Sequence, residues 1–498
     1  GEGLPTPLHV KHTLDNALIN YNVDFLYSSY VTDVLTDNSG NPAGVVMANR
    51  SGRQAVIAKT IIDATPRALV AKMAGTGFGV YPSGKQKFKF TVVGNELKDI
   101  PGGSAKIHAE PVLVTSASSG SSSGTAFSEA NKHYKAIEYT IPVEMEDGSW
   151  ASFARAEQVV RDLTWDPNQV ESADLLFQNP PDKLIGQKRW NNSEVDIENI
   201  NLKVFQPRKI DNLFVLSGSA NLSKEAAETL LQPGKMIRIG ERTGNEAAII
   251  SSQLFKPGKP KIKKIESNNI VDGDVGELLE GLRPSLNEGE ITAEETTLPI
   301  LGEYDAVVMG GGTAGAPAAL GASRKGAKTL VLDYMHGLGG IGTLGMVGRY
   351  YHGYRKGFTN EVDAGTKAIG KGNPRGDDKN LAEWVFDWKT EWYRSEIRKA
   401  GGDIWFGVLG IGAYVENGRV KGVVVATPEG KGIVLGHTII DSTGSADIAI
   451  AAGAGYSYTD GYSVAVQGSG LPFKNPGDFY NNSDWTFIND SDMLDVWR

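Results

Sequence analysis

The chain has 498 residues, a formal net charge of −9, seven histidines and no cysteine. That length is enough for two or three domains with buried cores, and the acidic balance disfavours nucleic acid and anionic membrane as partners. The absence of cysteine excludes disulfides, iron–sulfur clusters, thiol redox catalysis and a cysteinyl flavin link, without fixing the compartment as cytosolic or bacterial periplasmic.

No apolar run approaches the length of a membrane span, and no basic and apolar leader precedes a cleavage site. The first residue is Gly1, which leaves open a leader that was removed or never recorded.

In chain order, residues 8–21 carry an amphipathic helical pattern, and Val23 to Tyr27 reads as an apolar strand. Alternation over 30–36, 44–49 and 54–58 predicts a meander, and Thr60 to Ala64 a buried strand. Pro66 follows, where a turn needing positive φ would be altered. Residues 76–205 mix strand and helix patterns in the manner of an inserted α+β cap or substrate region, with a low-complexity loop, SASSGSSSG, over 116–124. Ile210 to Ser217 reads as a turn and buried strand, and Met236 to Ser251 as a helix with small residues on one face. Residues 256–300, with opposite-sign charge blocks, read as a connector. Asp272 and Asp274 lack the further ligands of a calcium loop and read as a solvated turn.

Tyr304 to Asp333 has the pattern of a strand, a glycine turn, a small-residue helix and a second strand. Gly310 permits the sharp turn, Gly312 lets the backbone approach a diphosphate, and Gly315 lets helix and strand pack closely. Thr313 and Ala314 complete the loop, and the helix amino end offers free N–H groups to phosphate. Asp333 ends the second strand, where a carboxylate can accept ribose hydroxyls. A dinucleotide fold is therefore expected from residue 301 onward. Trp384, Trp388 and Trp392 share one helical face and are expected to pack in the core. Arg375-Gly376-Asp377 reads as a polar turn. No His/Asp/Glu spacing suggests a metal site, and no nucleophile elbow suggests a hydrolase.

The chain also repeats itself. Residues 44–65 align without gaps on 422–443, with 11 of 22 positions identical at an offset of 378. The similarity extends back to VDFLY against GDIWF and forward to KMAGTGF against IAAGAGY. Residues 1–255 therefore read as the back part of one fold and 301–498 as the front part of another, joined by 256–300. Either the sequence is a piece of a longer tandem protein, the reading favoured here, or its halves complete one another.

The glycine loop, the GLGGIG run at 337–342 and the TIIDSTG run at 438–444 together resemble the FAD-dependent oxidoreductases of the glutathione-reductase-like type, with two dinucleotide folds. The resemblance implies a Rossmann-like α/β fold of three ββα layers and FAD as cofactor in preference to NAD. It places Gly339, Gly340 and Thr343 beside the diphosphate and flavin, and Ser442, Thr443 and Gly444 near the cofactor. It likewise makes Gly218 and Ser219, and further on Arg238 and Gly240, part of a closing segment, although Gly218-Ser219 lacks the charge the family usually carries there.

The run GRYYHGYRKG at 348–357 would approach the flavin ring. His352 is the candidate general base, with Tyr351 or Arg349 polarising the substrate oxygen. The other six histidines have no comparable neighbours. The expected activity is hydride transfer to flavin from a small C–OH or C–N substrate. The alternative is a catalytically silent scaffold that binds a protein or glycan. Self-association, or association with a missing remainder of the polypeptide, is the further partner considered.

Overall fold

The computed structural model describes residues 7–50, 52–114, 132–264, 273–277, 289–293, 297–348, 356–370 and 384–457. The proposed catalytic residues Arg349, Tyr351 and His352 lie outside these, as do the 116–124 loop, Asp272 and the 375–377 tripeptide. The chain divides into one compact unit over Gly1–Gly453 and a second over Ala454–Arg498, of which only 454–457 is described.

The first repeat opens with α1 (Pro7–Asn20) and an antiparallel meander of β1 (Tyr30–Thr36), β2 (Pro42–Asn49) and β3 (Gly52–Ile57). The β1–β2 turn closes because the Asp37 carboxylate accepts the Ser39 and Asn41 N–H groups while Gly40 takes a φ of 81°. The short β4 (Ile61–Asp63) then leads into α2 (Leu69–Met73). The strand expected at 23–27 does not form. Its residues are exposed, and a lone extended run with no neighbour to accept its backbone bonds stays irregular.

The inserted region folds as expected into α+β structure. Its core is the long pair β5 (Gly84–Gly94) and β8 (Lys132–Met145), flanked by β6 (Ser104–Ile107), β7 (Val112–Val114) and β9 (Glu171–Ser172). Alternation turns Phe88, Phe90 and Val92 inward against α3 (Trp150–Thr164). The Ser149 hydroxyl caps α3 by accepting the Ser152 N–H. Beyond it, β10 (Leu213–Val215) pairs in parallel with β4, followed by α4 (Lys224–Leu230) and α5 (Pro233–Gln253), which has proline in its first turn. The stretch read as a connector supplies two edge strands. β11 (Lys261–Ile262) joins β1, and β12 (Asp274–Glu277) joins the second repeat.

The second repeat builds a seven-stranded sheet. In sequence it comprises β13 (Ile300–Met309), α6 (Gly315–Arg324), β14 (Thr329–Asp333), α7 (Phe358–Ile369), α8 (Phe386–Lys399), β15 (Asp403–Phe406), β16 (Leu409–Glu416), β17 (Arg419–Thr427), β18 (Gly430–Asp441) and α9 (Asp447–Ala451). The strand order is β12-β16-β17-β18-β13-β14-β15, with β18, β13, β14 and β15 parallel. β14 and the Ala306–Met309 end of β13 are nearly continuous apolar runs because both faces of a parallel sheet are covered there. Val308 and Val331 pack with α6 and α8 on one face, while Val307, Leu330 and Leu332 pack toward α3 of the inserted region on the other. Trp388 and Trp392 are buried as expected, and the latter packs into the α6–α8 layer.

The repeat extends to backbone detail. Gly40, Gly52, Ala68 and Gly75 have positive φ, and so do Gly418, Gly430, Ala446 and Gly453, each 378 residues later. In both copies the aspartate ending the strand takes the N–H and hydroxyl of a threonine two residues on, Asp63 with Thr65 and Asp441 with Thr443. Each carboxylate then accepts amides of the following helix, from Ala71 and from Ile448 and Ala449. Pro66 replaces a glycine of positive φ, yet this network survives, because the turn is held by the aspartate and by Ala68 rather than by residue 66.

The two meanders face each other, with Ala48 and its equivalent Ala426 in one cluster. Asp33 binds both Arg53 and Lys431, which are themselves equivalent positions. Arg67 beside the first turn reaches Glu429 of the second hairpin, and Arg50 of the first hairpin reaches Ser445 beside the second turn.

Candidate functional site

The glycine loop joins β13 to α6, and each glycine has a distinct local cause. A Cβ at Gly315 would fall against the Gly310 carbonyl, within 2.9 Å of its carbon and 3.1 Å of the Ser442 Cβ, so helix, turn and third strand can close only around hydrogen. Gly310 takes a φ of 95° with its Cα side against the Ser442 backbone. At Gly312 the situation is reversed. An added Cβ would meet nothing nearer than the Gly340 Cα at 4.0 Å.

The loop is open at the head of α6. Gly312 is half-buried, and Thr313 and Ala314 are exposed. Among the described residues, no protein acceptor takes the N–H groups of Gly312, Thr313 or Ala314. Unmet amides at a helix amino end, together with the helix dipole, make a seat for a diphosphate. Facing them is the 337–345 turn, where Gly339 and Gly340 have φ of 100° and 61° and Gly340 packs on the Gly312 backbone. Any side chain at Gly340 would collide with the Thr313 amide at 2.8 Å. Thr343 is buried, and its hydroxyl donates to Leu338 O at 2.8 Å, so it closes the turn from inside. A cleft of about 240 Å³ beside the turn is lined by Asp333, Met335, Gly337, Gly340, Ile341, Leu344 and Gly345.

Asp333 stands where β14 ends. One carboxylate oxygen accepts the Gly311 N–H at 2.6 Å and the other the Met335 N–H at 2.7 Å, which leaves lone pairs for ribose hydroxyls. Burial pushes this carboxyl above its ordinary range, against the pull of those two amides and of His336. The third strand contributes Ser442, whose N–H donates to Met309 O, and Thr443, which is held by Asp441. Gly444 follows with a φ of 83°. The structure thus brings together Gly310, Gly312, Thr313, Ala314, Gly315, Asp333, Gly339, Gly340, Ser442, Thr443 and Gly444.

Gly218 and Ser219 do not join them. They follow β10 on the β4 pair, packed against Asn179, Pro180 and Leu231, with Gly218 O accepting from Lys183. Ser219 is fully buried. Leu216 donates to Asp63 O, so the closing segment docks on the first repeat's turn rather than on the second's. Arg238 pairs with Glu198 at the surface.

Two groups were missed from sequence. The ring of His336, between cleft residues Met335 and Gly337, lies 3.4 Å from Glu157 on α3 of the inserted region. Burial alone would raise the Glu157 carboxyl, but Arg161 and His336 hold it below the usual range. Their separation of 179 residues leaves no local signal. Lys389 is buried behind the turn, its ammonium 3.4 Å from the Trp384 ring centroid, while the Trp384 indole donates to Gly342 O at 2.6 Å. Burial lowers the Lys389 amine to about 8. Among the described residues no acidic or histidine cluster could hold a metal, and no helix is long and apolar enough to cross a membrane.

A sequence model of the family described as FAD dependent oxidoreductase matches residues 4–176 and 305–482, well over half of the chain. No curated protein matches. Among solved structures, THI4 of Thermovibrio ammonificans is 18% identical over 30% of this chain and 61% of its own, with a TM-score of 0.24. L-proline dehydrogenase from P. horikoshii is 13% identical over 32% and 58%, also with a TM-score of 0.24. Glycerol-3-phosphate dehydrogenase from Bacillus halodurans, complexed with FAD, is 15% identical over 28% and 34%, with a TM-score of 0.21. The chain therefore spans about three fifths or less of the length of these proteins, and such low scores carry none of their activities over to it.

Proposed function

The chain belongs to the FAD dependent oxidoreductase family, and on that premise we propose that its second repeat holds FAD at the Gly310 loop and serves hydride transfer from a small organic substrate with a C–OH or C–N bond. The observation that carries the reading is the set of three unmet amides, at Gly312, Thr313 and Ala314, opposite a turn whose backbone approaches them only because Gly340 has no side chain. Those amides would bind the diphosphate, and Asp333 the adenosine ribose. Gly339 and Gly340 would leave room along the cofactor, and the Ser442–Gly444 turn would border it.

FAD, when bound there, would supply the redox capacity for the reaction. The protein's part is orientation and proton transfer. We assign the proton to His352, as base toward the substrate O–H or N–H, and polarisation of the oxygen to Tyr351 or Arg349.

The test is an absorption spectrum of the purified protein, before and after incubation with FAD and desalting. Retained flavin bands, bleached by a C–OH or C–N donor, are expected. A colourless protein that takes up no FAD would favour the scaffold reading. Flavin retained without bleaching by any such donor would refute the substrate class alone.

A further inference from the structure

The carboxylate that ends β14 is placed by the turn that follows it. One oxygen of Asp333 takes the Met335 N–H at 2.7 Å, so a shift of residues 335–337 would move the acceptor itself. Met335 is 41% exposed, and its side chain gives that turn little hold. The inward anchors come from far off in the chain. Tyr334 packs with the cluster that holds Tyr30 and Ala48 of the first meander. His336 turns toward α3 of the inserted region, where its Nδ1 lies 3.4 Å from Glu157 Oε1.

The Glu157 end is firmly held. Glu157 is buried, and the same Oε1 accepts Arg161 Nε at 3.0 Å and Nη2 at 2.8 Å. Arg161 also donates to the Asp174 carbonyl at 2.9 Å, and its guanidinium carbon lies 5.5 Å from the ring centroids of both Phe90 and Phe406. A carboxylate so paired is an acceptor only, which puts the imidazole proton that faces it on Nδ1. At 3.4 Å the contact is long for a hydrogen bond, so it orients the ring more than it binds it. The His336 ring lies 6.0 Å from that of Phe406, the register partner of Asp333 across β14 and β15. Gly407 leaves the ring room: a Cβ there would be 3.4 Å from His336 Cε1 and Nε2 and 3.6 Å from the Tyr30 hydroxyl. The first meander, the inserted region and the second repeat therefore converge at one imidazole.

We propose that His336 is a positioning residue for the adenosine ribose: anchored on Glu157, it holds the Asp333 carboxylate in the orientation that accepts the ribose hydroxyls, so that the inserted region sets how tightly the second repeat grips the adenosine end of its cofactor. This rests on the reading that the Gly310 loop and Asp333 hold FAD. Alignment decides the worth of such a bond, because a carboxylate swung off the O–H line loses most of the interaction while the amides at Gly312, Thr313 and Ala314 stay where they are. The effect is therefore confined to ligands that carry the hydroxyls.

The full chain in flavin-free form is titrated calorimetrically with ADP and with 2′,3′-dideoxy-ADP, which keeps the adenine and diphosphate and lacks both hydroxyls. FAD is titrated alongside by its fluorescence. The parent is expected to bind ADP roughly tenfold or more tighter than the dideoxy analogue. His336→Ala should weaken ADP by about five- to tenfold and leave the dideoxy analogue unchanged. His336→Asn, whose amide nitrogen falls where the imidazole Nδ1 stands, should recover the preference. Glu157→Asp keeps the charge that Arg161 needs but draws the acceptor back by a methylene; it should lose the preference too, and it gives the same reading should the alanine variant not fold. A preference for ADP kept in both His336→Ala and Glu157→Asp would overturn the proposal. So would a loss shared equally by the two nucleotides, which marks a general loosening, or an asparagine variant no better than the alanine one. A parent that takes up FAD yet ignores the hydroxyls sinks this inference alone, whereas a parent that binds neither FAD nor ADP sinks the cofactor reading beneath it.

Discussion

Gly312→Ala and Gly315→Ala differ by three positions in one loop and should fail in opposite ways. At Gly315 the added methyl would sit against the Gly310 carbonyl and 3.1 Å from the Ser442 Cβ. Overpacking a close backbone contact costs about 3 kcal/mol or more when neither side can yield. This variant should therefore lose stability before any question of cofactor arises. At Gly312 the methyl meets protein only at 4.0 Å, and no positive φ opposes it. Folding should change by less than ~0.5 kcal/mol, as for a substitution away from packed features. The methyl instead occupies the space a diphosphate would take. A misfit of about 1–3 kcal/mol corresponds to an FAD dissociation constant raised roughly 5- to 150-fold. Chemical denaturation of both variants without FAD, and fluorescence titration of Gly312→Ala with FAD, separate the two effects. If Gly312→Ala bound FAD as tightly as the parent, the loop would not be the diphosphate seat, and the site would have to be sought elsewhere.

The repeat allows a matched pair. Asp63→Ala and Asp441→Ala each strip hydrogen bonds from a strand-to-helix turn and should each cost about 2–4 kcal/mol in urea denaturation, but only Asp441→Ala should also release FAD. Arg67 is buried between Asp182 and Glu429, with its guanidinium 4.3 Å from the Phe153 ring centroid. Arg67→Ala takes the ion-pair partner from partly buried Glu429, while Asp182 keeps Lys72 at 2.6 Å, and should cost roughly 3–5 kcal/mol, read the same way. Lys389 has its folded amine lowered from 10.5 to about 8, so between those values the unfolded chain binds more protons and stability rises with pH. Its charge is a burden below about pH 8. Allowing for the cation–π contact with Trp384, Lys389→Met should stabilise the protein by about 1–2 kcal/mol at pH 7 and progressively less toward pH 10.5, measured by denaturation across that range.

Local pattern was enough to identify the turn at Gly310, the helix after it, Asp333 at the strand end and the repeat itself. Each of these is a short-range consequence of residue type: glycine where φ or contact forbids a side chain, period and composition elsewhere. The aspartate–threonine turn appears in both copies because its bonds span only a few residues. The strand at 23–27 was legible as composition but does not form, since a strand needs a neighbour and sequence period does not say whether one is there. Gly218 and Ser219 carry a family-like pattern and still fold onto the first repeat. Which of two equivalent turns a segment joins is decided by which strand edge lies beside it.

The amino-acid sequence by itself determined the glycine loop, the duplicated meander and the buried tryptophans at 388 and 392, because glycine sterics and apolar periodicity act between residues close in the chain. Tertiary structure alone decided that the two meanders face one another and that Glu157 meets His336. Those outcomes depend on surfaces formed by residues far apart in sequence, whose complementarity no local spacing records.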